Sequence, residues 1–325
     1  MDVGTARLAT LDAQLTGPGT LPEEGGDRVV EDGRGGSLLH RGSLRGYRVN
    51  EVTLASGGGT ARLGGADMDV QQDLGVVLYE KQGAIARVIL NWPEKANAQS
   101  ADMVRQVDQC LTLAERDYDV KVVIFKANGK GFCSGHLVSG PAAYPEFAAS
   151  QAAIGSNWTG SHELFVAPTL RFFEFPKPMI AQVHGYCIGG GTYWAYLPDI
   201  TIAAADAYFQ MPLVQGLGFP GGETMVEPWA FMNRKRAAEY LYTSRTLTAH
   251  EAVEQGLINK VVPRVELESA VEQMAAHIAR APLSTLMGTK SLLVRAWEQM
   301  GMRQHMQMSA DVMAIMEQTL SLIHI

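Results

Sequence analysis

The sequence predicts an α/β protein whose sheets are covered on both faces. Three observations carry this expectation. Short β-branched runs alternate with segments of helical period, the runs are apolar throughout rather than at every second position, and glycine-rich turns follow them.

The elements follow in order. "VVLYEKQGAIARVILN" (76–91) predicts a hairpin turning at Gln82-Gly83. "SADMVRQVDQCLTLAER" (100–116) predicts a helix capped by Ser100, with Met103, Val107, Cys110, Leu111 and Leu113 on its apolar face. "KVVIFKA" (121–127) predicts a buried strand, followed by the glycine-rich loop "GKGFCSGH". "KPMIAQVHG" (177–185) is the next strand, the glycines at 189–191 open a helix, and "DITIAAA" (199–205) returns as a strand. In "LTAHEAVEQGLINKVV", Thr248 and Glu251 make a capping box and Gly256 takes the C′ place. Residues 265–280 and 283–300 continue with helical spacing.

The ends differ from this pattern. Residues 1–67 hold 15 of the 34 glycines, seven arginines and no lysine, without apolar periodicity. Such a stretch buries too little surface to fold, so a disordered or non-native leader is expected, with Met68 a natural start of the folded part. The core is expected over 68–263, and a helical, oligomer-forming region over 264–319. The final "LSLIHI" (320–325) resembles a translated sequencing-adapter end, the alternative being an ordinary apolar tail.

Of 325 residues, 46% are hydrophobic and the net charge is −7, which argues against nucleic acid as a partner. Three scattered cysteines (Cys110, Cys133, Cys187) suit a reducing cytoplasm, and no cysteine or histidine cluster suggests a metal. No apolar run approaches the ~18–20 residues that span a bilayer, so no membrane is expected as a partner.

"CIGGGTYWAYLPD" (187–199) places three glycines between a strand and a helix. Such a turn offers free N–H groups at a positive helix end, able to hold a phosphate or a developing oxyanion. The alternative is that the glycines only permit close packing. No GxGxxG, P-loop or GxSxG pattern is present. A second loop, "GKGFCSGHLVSG" (129–140), also follows a buried strand, and two such loops can clamp one oxygen from both sides.

Four stretches in order, "ARVILNWPEKANAQS", "GKGFCSGHL", "PMIAQVHGYCIGGGTYWAYLPDITIAAADAYFQMP" and "RTLTAHEAVEQGLINKVVP", resemble the enoyl-CoA hydratase/isomerase (crotonase) superfamily over residues 74 to about 319. The resemblance implies a spiral of repeated ββα units with a C-terminal helical region, a homotrimer or hexamer, and a coenzyme A thioester as substrate with no permanently bound cofactor. It places an oxyanion hole at the N–H groups of His136 and Gly190. It matches Lys95, Ala96, Ala98, Ser134, Gly135, Leu137, Gly189, Pro212, Leu213 and Leu217 to the CoA and acyl path. Trp92 stands where the family carries an arginine.

The resemblance also exposes a gap. Tyr193 and Leu213 occupy the places of the two hydratase glutamates, and leucine can neither give nor take a proton. Glu223, in "FPGGETM", is the nearest acid in a pocket-facing loop, with a helix-end role as its alternative. Glu227 is expected to pack or pair. Tyr193 and the His136 side chain either assist at the acyl group or only pack. His162 and Glu163 fall in the variable segment 138–176 and are expected at the surface. Cys133 as a nucleophile has only His136 as a base partner. The chain therefore reads as an acyl-CoA lyase or isomerase. A ring-opening or thioester hydrolase of the same fold and a non-catalytic CoA-binding paralogue stay open.

Overall fold

The computed structural model describes residues 70–137, 156–222 and 224–323. The leader expected at 1–67, Glu223 and the last two residues of the tail lie outside them.

The described chain opens with β1 (Val70–Asp73), β2 (Val77–Gln82) and β3 (Ile85–Leu90), antiparallel neighbours. The hairpin closes on the pair Gln82↔Ile85, so its turn is Gly83–Ala84, one residue later than predicted; Gly83 takes the positive φ of +53° that the turn requires. α1 (Ala101–Arg116) follows, and Ser100 Oγ accepts from the Met103 N–H at 3.1 Å as expected of an N-cap. Its buried face runs Met103, Val107, Cys110, Leu111 and Ala114; Leu113 is more than a third exposed, because the 3.6-residue period continues to Ala114.

From β4 (Val122–Ala127) onward the main sheet is parallel. α2 (Ser156–Ser161), a π-turn at His162–Val166 and α3 (Ala167–Glu174) lead into β5 (Met179–Val183). β6 (Tyr186–Ile188) and α4 (Gly190–Tyr196) come next, then β7 (Ile200–Ala204) and β8 (Tyr208–Gln210). A π-turn at Leu213–Leu217 precedes α5 (Glu227–Phe231) and α6 (Arg234–Thr243). β9 (Leu247–Thr248), α7 (Ala249–Glu254), β10 (Lys260–Val262), α8 (Leu267–Ala279), α9 (Leu283–Gln299) and α10 (Met302–Ile323) complete the order. The predicted capping box at Thr248 and Glu251 is formed, and Gly256 has φ +79°.

The seven-stranded sheet has the order β1-β2-β3-β4-β5-β7-β10, and a second sheet the order β6-β8-β9. Successive units give one strand to each: β5 then β6, β7 then β8. This is the expected spiral of ββα units. The alternation along β4 shows why its sequence is apolar throughout. Val122 and Ile124 pack with Leu267, Val271 and Ala275 of α8, whereas Val123 and Phe125 join the α1 side. Phe125 anchors that second cluster through edge contacts with Phe132, Phe172 and Trp194 at 4.9–5.7 Å between ring centres.

α10 fastens the segment after the second π-turn. Ser309 Oγ donates to the Gly222 carbonyl at 2.9 Å, and His305 Nε2 lies 3.2 Å from the Met225 carbonyl. Asp311 takes Trp158 Nε1 and meets His162, which is therefore tied to a helix rather than solvated as expected.

Candidate active site

Two loops cross at the N-terminus of α4. Residues 132–133 run parallel to β6: the Phe132 N–H donates to the Tyr186 carbonyl (2.9 Å), and the Ile188 N–H to the Cys133 carbonyl (2.9 Å). The loop then changes partners. The Ser134 N–H donates to the Ala96 carbonyl (3.1 Å), the Gln99 N–H to the Gly135 carbonyl (2.8 Å), and the Leu137 N–H to the Gln99 carbonyl (3.1 Å). Gln99 and His136 thus face each other as a parallel bridge, and the His136 N–H is turned away from the Gln99 strand.

The glycines are what this crossing demands. Gly135 has φ +89°, and a Cβ there would stand 2.8 Å from the Ile188 carbonyl oxygen and 3.1 Å from the Gly190 nitrogen. Gly189 has φ +54° and its N–H donates to the Gln210 carbonyl at 2.8 Å. A Cβ on Gly191 would meet the Cys133 carbonyl oxygen at 2.7 Å. Gly190, the first residue of α4, is crowded differently. A Cβ there would stand 2.2 Å from Gln99 Oε1 and 2.7 Å from His136 Nε2. The close-packing reading therefore holds for Gly191, while Gly135 brings the two loops' backbones together and Gly190 leaves room for the Gln99 and His136 side chains.

His136 lies against Phe165, ring centres 4.6 Å apart. Part of the residue reaches the surface, but its ring is enclosed. Burial pushes the imidazole down to about 4, so it is neutral at pH 7. Burial pushes the Cys133 thiol up to about 12, which removes it as a nucleophile at neutral pH. Tyr193 is buried, its hydroxyl against Gly222, where a Cβ would stand 1.8 Å from the oxygen. Leu213 opens its π-turn half-buried against the core, beside half-buried Pro212, while Leu217 is exposed.

The structure brings Ala96, Ala98, Ser134, Gly135, His136, Leu137, Gly189 and Gly190 to the crossing. Ala98 is buried, Ala96 takes φ +53°, and Leu137 packs beside Leu164 and Phe165. Lys95 ends a 3-10 turn with its side chain exposed. Two residues escaped the sequence reading. Asn97, fully buried with φ +51°, accepts from the Trp92 N–H (2.8 Å) and donates to the Asn128 (2.8 Å) and Gly131 (3.2 Å) carbonyls, pinning the turn to the loop. Gln99 is 1% exposed. A signal existed for both: a run "ANAQS" leading into a helix holds more polar side chains than a cap needs.

Glu227, expected to pack or pair, is fully buried, and neither carboxyl oxygen has a hydrogen-bond partner. Burial raises it to about 7. The Tyr196 and Tyr240 hydroxyls are its electrostatic neighbours and are pushed upward by burial as well. Among the described residues no group of three or more His, Cys, Asp or Glu side chains could hold a metal. No described helix is long and apolar enough to cross a membrane.

The family model described as enoyl-CoA hydratase/isomerase matches residues 80–321. The chain belongs to this family. The short-chain-enoyl-CoA hydratase of Clostridium acetobutylicum is 30% identical over 68% of this chain and 82% of its own. The 1,2-epoxyphenylacetyl-CoA isomerase of Escherichia coli is 31% identical over 63% of this chain and 77% of its own. Among solved structures, one described as a probable enoyl-CoA hydratase from Mycobacterium smegmatis superposes with a TM-score of 0.69 at 32% identity, covering 76% of this chain and 96% of that one. The protein is thus an acyl-CoA enzyme of a family whose members include lyases and isomerases, and its α/β fold is the crotonase fold.

Proposed function

We propose that the protein stabilises a thioester enolate of an acyl-CoA substrate between the backbone N–H groups of His136 and Gly190. The crossing of the two loops carries the reading. It brings Gly135 against the Gly190 nitrogen, and the Gln99–His136 bridge turns the His136 N–H away from its strand partner. Fixed donors aimed at developing charge need no rearrangement during reaction and are the largest single term in many enzymes. Lys95, Ala96, Ala98, Ser134, Gly135, Leu137, Gly189, Pro212, Leu213 and Leu217 line the CoA and acyl path in this reading.

The ordinary hydratase pair is absent, since Tyr193 and Leu213 stand in its places. Proton transfer falls to Glu223, whose chain neighbour Gly222 abuts the Tyr193 hydroxyl. The reading includes a homotrimer or hexamer working in the cytoplasm. Supporting the assembly, α9 and α10 expose Leu292 (71%) and Ile315 (64%) to solvent.

A panel of acyl-CoA thioesters, assayed for turnover and for binding, tests the function. Gly190→Pro removes one donor and also drives its ring into Gln99 and His136. Turnover is expected to fall by at least the ~10²–10³-fold that loss of one donor costs. Gly190→Ala, which crowds the same side chains but keeps the N–H, is the control that should keep more of the activity. Binding of every CoA thioester without turnover of any would show a non-catalytic paralogue instead.

A further inference from the structure

The space beside the Gly190 N–H is walled by two hydrogen-bonding side chains. Gln99 Oε1 and His136 Nε2 lie 2.2 and 2.7 Å from one and the same point, the place a Cβ on Gly190 would occupy. They arrive there because the backbones of Gln99 and His136 are bridged, which sends both side chains along one face of the crossing. Gln99 is 1% exposed, and the His136 ring is wedged against Phe165. Its place beside Gly190, a proposed oxyanion donor, gives the Gln99 amide a use: with the substrate oxygen at the Gly190 N–H, the neighbouring acyl atoms would come to this wall.

We propose that Gln99 is a specificity-determining residue of the acyl site. With the His136 imidazole it forms a polar wall over Gly190 that selects acyl-CoA thioesters carrying an oxygen next to the reacting carbons over those with a plain hydrocarbon chain. The inference rests on the proposed placement of the thioester at His136 and Gly190. The amide offers both an acceptor and donors, and the imidazole one of each, so together they pair with a hydroxyl or a ketone oxygen. A wall of this kind discriminates because a hydrocarbon chain in the same place leaves the polar tips facing carbon.

The test compares two probes of equal chain length, butyryl-CoA and 3-hydroxybutyryl-CoA, by calorimetric titration of the full chain. The wild type is expected to bind the hydroxylated probe about tenfold more tightly, the worth of one good hydrogen bond. Gln99→Met keeps the volume and removes the polar tip. It should bring the ratio to about one, by weakening the hydroxylated probe and by relieving the unpaired amide that butyryl-CoA faces. Gln99→Glu keeps an acceptor and should retain the preference, which a merely structural role for Gln99 would not produce. Equal affinity of the wild type for the two probes overturns the proposal without needing any variant, as does an undiminished ratio in Gln99→Met. Failure of both probes to bind the wild type would count against the acyl-CoA site itself, and the wall would fall with it.

Discussion

A Cβ on Gly135 would meet backbone atoms and one on Gly191 the carbonyl and side chain of Cys133, whereas the atoms nearest a Cβ on Gly190 are the tips of Gln99 and His136. The difference separates two halves of the site. Carbonyls of a sheet cannot retreat from a new methyl group, but a glutamine amide and an imidazole can rotate away. The half made of backbone is therefore rigid and specified by steric exclusion. The half made of Gln99, His136, Tyr193 and Leu213 is held by packing and open to exchange.

Glu223→Gln, at the acid proposed for proton transfer, is expected to have the largest effect. The loss of a general acid or base lowers turnover by roughly 10²–10⁴-fold, and circular dichroism should show an unchanged fold. Fast crotonyl-CoA hydration that ignores this substitution would place the acid elsewhere. The rigid half answers to Gly135→Ala. Its positive φ costs ~1–2 kcal/mol for an alanine, and crowding against the Ile188 carbonyl costs ~1–3 kcal/mol more, so a clear fall in the urea midpoint is expected. Gly190→Ala should cost well under half of that. Equal losses at the two positions would erase the distinction between backbone and side-chain confinement.

Two buried groups, one in the exchangeable half and one outside it, make stability sensitive to pH in opposite senses. Glu227 binds its proton more tightly when folded, so its contribution is full below pH ~4.5 and is lost as pH rises through about 7. The amount is roughly 3 kcal/mol. His136 binds its proton less tightly when folded, so its contribution is present above ~6.5 and is lost as pH falls toward about 4. Unfolding free energies of Glu227→Gln should rise from pH 4.5 to 6.5 where the wild type stays flatter, and should hold up above pH 7. A Glu227→Gln profile parallel to wild type would mean that the carboxyl finds a partner.

At the margin, Ser100→Ala removes the cap next to Gln99 and should cost ~1 kcal/mol, read from the thermal midpoint, with little change in acyl-CoA affinity. A larger effect on affinity than on stability would tie the start of α1 to the acyl wall.

The legibility of these features followed the same division. β4 could be read because both its faces are buried, and the capping box because its pattern is local. The glycine triplet could be read as a close approach, since only backbone proximity explains three missing side chains in a row. Leu113 was misplaced because a run of apolar residues hides the true period. Gln99, Asn97 and the partnerless state of Glu227 could not be read. Their roles depend on which distant segment lies opposite, and nothing in the local pattern names it. Glu223 lies outside the described residues, so its part in the chemistry rests on the sequence.

The backbone pairing of the Cys133 segment with β6 at Cys187 has a kinetic consequence. It joins chain segments separated by α2, α3 and β5, and Gly189 must also reach Gln210 before the crossing is complete. Closing such long loops is slow, and the hairpin and helices can form long before it. During refolding, the far-UV signal should therefore recover ahead of acyl-CoA binding. The interval between them is when the chain is most exposed to capture by other unfolded chains, because the apolar strands of the main sheet are formed but not yet sealed at this seam.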